Sequence, residues 1–241
     1  MLQATFSQQD TIGKQTPLWI VCFAALILVQ IPNATLEVKK FLLDTDPNNL
    51  TAIDYLAAIS AYTTGPIAVL FMIMQQRRMA IKALLDDLGL TNASRKPIYL
   101  GLLLGIFAMA STVIIGTLFD MASNTSNQSL IDYHKGVLGV ISLLYITTLS
   151  GPFLEEVLFR GWLFKRAMNT WLGSYGAALL SSFLFMMMHV GPGYQPVGLF
   201  VLFCTALICA WLRFRFVSLW PAIAMHASYN ACLVTFILLQ Q

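Results

Sequence analysis

The chain has 241 residues, of which 58% are hydrophobic and only 10% charged, with a mean hydropathy of +0.73. A soluble domain carries roughly 25% charged residues, so the composition excludes one and predicts an all-α, polytopic transmembrane helix bundle. The net charge of +3 gives no strong electrostatic preference for nucleic acid, and the basic loops are explained by topology and anionic lipid.

In chain order, the first sixteen residues are polar with one basic residue, Lys14. No small-residue cleavage pattern follows the first apolar stretch, so no removable signal peptide is expected. Seven stretches approach the roughly 17 to 25 residues that cross a hydrocarbon core: Leu18 to Ile31, Tyr55 to Met74, Ile98 to Phe119, Val137 to Leu154, Ser174 to Met188, Val197 to Leu212 and Val217 to Leu239. The first is the shortest. Between the first two, Asn33 to Asp54 carries the turn signal Asp46-Pro47-Asn48-Asn49 and is read as an external loop with a short interfacial helix. Met79 to Leu90 has helical apolar spacing beside Lys82, Asp86 and Asp87, with Gly89 as its stop, and is read as a helix on the membrane surface. Gly101 and Gly105 form a GxxxG pair, a packing signal in the third stretch. Asp120 to Gly136 is an external loop without evident chemistry. Cys22, Cys204, Cys209 and Cys232 lie in apolar segments without a pairing pattern and read as small hydrophobes. No appended domain or repeat is visible, so residues 1–241 read as one membrane domain.

Short loops rich in Lys and Arg stay cytoplasmic. Lys14, Arg77, Arg78, Lys82, Arg95, Lys96, Lys165, Arg166, Arg213 and Arg215 fall on one side of the alternating loops, against Lys39, Lys40 and Lys135 on the other. That asymmetry predicts a cytoplasmic N-terminus and an external C-terminus.

Chemistry is expected where ionisable residues interrupt apolar helices. Glu155 and Glu156 stand where the eighteen-residue uncharged stretch Val137 to Leu154 finishes, and His189 and His226 lie within or at the end of apolar spans. Each such group costs about 2.5 to 3.5 kcal/mol at membrane depth and faces a partner or a wet cavity. Positions i and i+4 share a helix face, so Glu156 is set to pair with Arg160 as a brace. Glu155 is left without a local cation. A carboxylate in a poorly solvated place binds protons more readily than one in water, which makes Glu155 the candidate base. The same spacing joins Phe185 to His189 and His226 to Asn230. The imidazole and amide of the second pair are both hydrogen-bond donors for an oxyanion, and His189 is a candidate to share a water with Glu155. At about 1.5 Å per residue, Glu155 lies about 15 Å from Lys165 and His226 about 16 Å from Arg215, but His189 lies about 24 Å from Gly173. The three helices therefore meet at one level only if the fifth is tilted or begins later. Taken singly, each feature also has a structural reading: a buried ion pair, an interhelical histidine, a packing asparagine.

Glu155-Glu156-x-x-x-Arg160, Phe185-x-x-x-His189 and His226-x-x-x-Asn230, in that order on hydrophobic segments, resemble the CAAX protease and bacteriocin-processing (CPBP, or Abi) family of intramembrane endopeptidases. Pro152-Phe153-Leu154 and Phe159-Arg160-Gly161 are similar to that family as well, and the resemblance runs from Leu88 to Asn230. It implies a hydrolase, a glutamic endopeptidase, in which Glu155 and His189 activate water, His226 and Asn230 stabilise the oxyanion, and Glu156 and Arg160 support the site. It further implies a membrane-associated, sometimes lipidated, protein or peptide substrate in the cell membrane of a bacterium or archaeon. No cofactor is expected. Three rivals stand beside this reading: a zinc-dependent form of the same protease, disfavoured by the absence of HExxH; a non-enzymatic immunity or scaffold protein that binds peptides; and a proton-coupled transporter, disfavoured by the lack of an inverted repeat.

Overall fold

A computed structural model describes residues 50–119, 136–190 and 195–239, together with residues 17, 20, 22, 24 and 27. Among them the chain forms seven helices and no strand: α1 (Ala52–Arg77), α2 (Ile81–Leu88), α3 (Arg95–Leu118), α4 (Gly136–Met168), α5 (Gly173–Met187), α6 (Pro196–Phe216) and α7 (Trp220–Leu238). Five of them, α1, α3, α4, α6 and α7, are long and apolar enough to cross a membrane. Large apolar side chains such as Leu103, Phe107 and Phe200 are exposed on their outer faces, where lipid rather than water is the compatible solvent. The chain is an all-α polytopic membrane protein. Most of the first apolar stretch, most of the Asn33 to Asp54 segment, and the Asp120 to Gly136 loop apart from Gly136 lie outside the described residues.

Two expected spans differ from those observed. The fourth does not end at Leu154 but continues through both glutamates to Met168, thirty-three residues in all, because side chains from other helices meet the charges inside the bundle. The fifth has fifteen residues, about 22 Å at 1.5 Å each, short of the roughly 30 Å core. The longer α4 also removes most of the mismatch in heights. The turn between α4 and α5 follows Met168, not Lys165, which puts Glu155 about 20 Å above it, close to the 24 Å of His189.

The bundle is closed by backbone approach and by one polar corner. A Cβ on Gly101 would collide with the Pro221 carbonyl, and one on Gly105 with the Met225 carbonyl and the Ser228 hydroxyl, so the GxxxG pair is the surface on which α7 lies. Ser228 Oγ donates to the Leu102 carbonyl at 3.0 Å and Thr112 pairs with the Tyr229 hydroxyl at 3.1 Å across the same contact. At one end of the bundle, the carbonyls after α2 accept from the turn into α7: Gly89 from Leu219 N–H at 2.9 Å, Leu90 from Trp220 Nε1 at 2.7 Å, and Asn92 from the Ser218 hydroxyl. Gly89, the predicted stop of α2, has φ 77°, a left-handed conformation open to glycine, and the guanidinium of buried Arg213 lies against it. Lys165 pairs with Asp87 at the same end. The apolar core runs through Val69 and Ile73 of α1, Leu84 and Leu88 of α2, Leu154 to Leu163 of α4, Phe185 and Ile223. It surrounds the middle of α4, where the two glutamates sit.

Candidate active site

The middle of α4 is not a regular α-helix. Two π-helical segments, Tyr145–Ser150 and Val157–Leu163, flank the α-helical stretch Gly151–Glu156. Pro152 supplies the reason on the first side. It has no N–H, and the preceding Gly151 N–H bonds the Ile146 carbonyl five residues back instead of the usual four. Such π-turns recur at functional sites because they redirect side chains within an otherwise continuous helix. The α1 helix ties this segment down: Ser150 donates to the Tyr62 carbonyl and Thr63 pairs with the Tyr145 hydroxyl at 2.7 Å.

Glu156 and Arg160 are both fully buried, with Arg160 Nη1 2.9 Å from Glu156 Oε1. Arg160 also donates through Nη2 to the Ala206 carbonyl on α6 at 3.1 Å. Its guanidinium carbon lies 4.5 Å from the centre of the Phe185 ring, within the range of a cation–π contact. The same Glu156 oxygen lies 3.0 Å from His226 Nδ1. Turned the other way, His226 Nε2 is 3.7 Å from Glu155 Oε2, with His226 12% and Glu155 24% exposed. His226 therefore bridges the two adjacent carboxylates. Glu155 has no neighbouring cation on its own helix, and in space α7 brings the His226 imidazole to it.

His189, in the turn after α5, has Nδ1 2.9 Å from the Phe185 carbonyl. Its ring centre is 4.9 Å from that of Phe185, and Phe185 in turn stands edge-on to His226 at 5.6 Å and to Phe159 at 5.4 Å. Phe185 is thus the shared wall of the site, touching Arg160 and both histidines. Its i, i+4 relation to His189 was visible in the sequence, but nothing there assigned it this role. Asn230 points at backbone: Nδ2 donates to the Thr147 carbonyl in the first π segment at 2.8 Å. Of the six predicted residues, Glu155, Glu156, Arg160 and His226 meet directly. His189 joins them through Phe185, and Asn230 holds α4 one helical turn from His226. Among the described residues, no group of three or more His, Cys, Asp or Glu side chains is arranged to hold a metal ion.

Fold and site together define an integral membrane protein with a carboxylate and histidine centre enclosed by α4, α5 and α7. Residues 137–232 match the family described as type II CAAX prenyl endopeptidase Rce1-like, a stretch that contains every residue of this centre. The match covers about two fifths of the chain, so it is over this stretch that the chain is similar to that family. No curated protein and no solved structure gives a significant match to the chain.

Proposed function

We propose that this protein is a glutamic intramembrane endopeptidase that cleaves membrane-associated proteins or peptides, by C-terminal CAAX-type processing or by processing of bacteriocin-like or signal peptides, with a water activated at Glu155. The observation that carries the proposal is the bridged pair. His226 stands between Glu156 Oε1 at 3.0 Å and Glu155 Oε2 at 3.7 Å, on helices that are otherwise apolar.

Each residue then has a defined task. Arg160 neutralises Glu156, and Glu156 accepts a hydrogen bond from the Nδ1–H of His226, fixing the ring so that Nε2 faces Glu155. Glu155, the more exposed carboxylate, accepts a proton from water as its oxygen attacks the peptide carbonyl carbon. It returns that proton to the amine nitrogen as the C–N bond breaks, leaving a carboxylic acid and an amine. The negative charge that forms on the carbonyl oxygen meets the Nε2–H of an imidazolium at His226, the charge state that also balances two carboxylates against one guanidinium. Asn230 contributes an amide on the same helix with one N–H committed to Thr147. His189, with Nδ1 committed to the Phe185 carbonyl, supports the water through Nε2.

The cluster of basic residues at one end of the bundle supports placing the N-terminus and these loops on the cytoplasmic side. A cysteine introduced at Lys82 should then react with a membrane-impermeant thiol reagent only in inside-out vesicles.

The test of mechanism uses the purified protein in liposomes with a farnesylated peptide ending in a CAAX sequence and with an unprenylated membrane peptide. Cleavage should survive dialysis against a strong chelator and fall by about 10² to 10⁴-fold in Glu155→Gln, the usual loss for a missing general base. Activity removed by chelation and restored by zinc would instead identify a metalloprotease, and a Glu155→Gln variant that retains more than about a tenth of the rate would remove Glu155 as the base.

A further inference from the structure

A helix interior satisfies its carbonyls from its own N–H groups, and a proline leaves one of them without a donor. In α4 the Gly151 N–H is given to the Ile146 carbonyl, so the Thr147 carbonyl does not have its ordinary partner four residues on. Its π-type partner five residues on is Pro152, which has no hydrogen to give. The donor that reaches Thr147 comes from another helix: Asn230 Nδ2, at 2.8 Å. We propose that Asn230 is a positioning residue that replaces the backbone donor missing at Pro152, and that by doing so it sets the level of α7 against α4, and with it the distance from His226 to Glu155 and Glu156.

The register of the two helices follows from this bond. Asn230 lies one turn after His226 on α7, and Thr147 lies about two turns before Glu155 on α4. Fixing the first pair leaves the second little freedom to slide. A carbonyl buried without a donor costs about 1 to 3 kcal/mol, enough for α4 to change its turn geometry or to shift against α7 if the amide is withdrawn. Gly101 and Gly105 let α7 approach α3 closely but do not fix its level against α4. The role is distinct from donation to an oxyanion, because it acts through Thr147 and holds with no substrate present. It rests on the reading of Glu155 and His226 as the reacting groups only for its consequence in catalysis, not for its effect on geometry.

The experiment uses the full-length protein in bilayers with its histidine side chains labelled with ¹⁵N, and reads the His226 ring nitrogens as a function of pH. Asn230→Ala, with Asn230→Leu as the apolar variant closest in size, should change the His226 shifts and the pH at which they titrate. Adding Pro152→Ala should return them towards those of Pro152→Ala alone. The new N–H, or the Gly151 N–H released to the ordinary register, then serves the Thr147 carbonyl from within the helix. In a cleavage assay the Asn230 variants should lose about tenfold or more in kcat with KM within about twofold, since small misplacements of reacting groups cost rate, and Pro152→Ala should recover the part of that loss that comes from misplacement and not the part that comes from the missing amide donor. His226 spectra unchanged in both Asn230 variants, or changed but not recovered by Pro152→Ala, would overturn the proposal. Failure of Glu155→Gln to reduce turnover would refute the catalytic reading while leaving the spectroscopic result to decide this one.

Discussion

At the scale of single residues, the cost of charge in an apolar bundle decides which side chains must meet. Glu156 and Arg160 are fully buried, and removing one partner of such a pair costs about 3 to 5 kcal/mol because the other is left uncompensated. Arg160→Ala is therefore expected to lower the melting temperature in detergent more than Glu155→Gln does, while the double change of Glu156→Gln with Arg160→Met is better tolerated than Arg160→Ala. Equal melting temperatures for the three variants would show that the pair is not the brace described here. The i, i+4 spacing made this pair legible from the sequence, as it did the separation of Glu155 from Arg160. What the sequence could not carry is His226 lying across both glutamates, since a spacing within one helix contains no information on how α7 rotates against α4. The wall formed by Phe185 was hidden for the same reason: an aromatic residue in an apolar helix looks like core until its neighbours are known.

At the scale of the elements, the apolar stretches located most helices to within a few residues, and Gly89 ended α2 where a left-handed glycine was expected. The end of the fourth span was misplaced because charge was read as the limit of the membrane segment. In the folded chain Arg160 pairs with Glu156 and His226 lies against both glutamates, and the helix runs on. The π segments were not legible as such, although Pro152 five residues after Thr147 was the signal for the first of them. The GxxxG reading as a packing surface can be pressed further. A side chain at Gly105 would meet the Met225 carbonyl and the Ser228 hydroxyl, on the turn of α7 that carries His226, so Gly105→Leu must push α7 away from α3. The expected result is a lower melting temperature together with loss of activity, whereas Gly116→Leu, which meets nothing within 4 Å, should leave both near the wild-type values. Equal behaviour of the two variants would mean that α7 does not depend on the close approach.

At the scale of the whole molecule, the bundle gives an apolar exterior and a small polar interior, which is the arrangement a membrane enzyme needs to bring water and a peptide together below the headgroups. The carboxylates lie well inside α4 and remain partly accessible through Glu155, while Glu156 and Arg160 are sealed. Accessibility and support are thereby divided between two adjacent residues of one helix. Composition alone identified the class of molecule, and the three spaced motifs identified the family that residues 137–232 match. Substrate identity has no counterpart in the residues named, since the site's chemistry acts on a peptide bond whatever flanks it. The central claim is that Glu155 makes this protein a protease, and it is tested most directly by comparing peptide termini in membranes of cells that express equal amounts of the wild-type protein or Glu155→Gln. A set of new termini in membrane-associated proteins or peptides is expected to appear with the wild-type protein and to be missing with the variant. Identical termini in the two membranes, with both proteins folded and inserted, would contradict it.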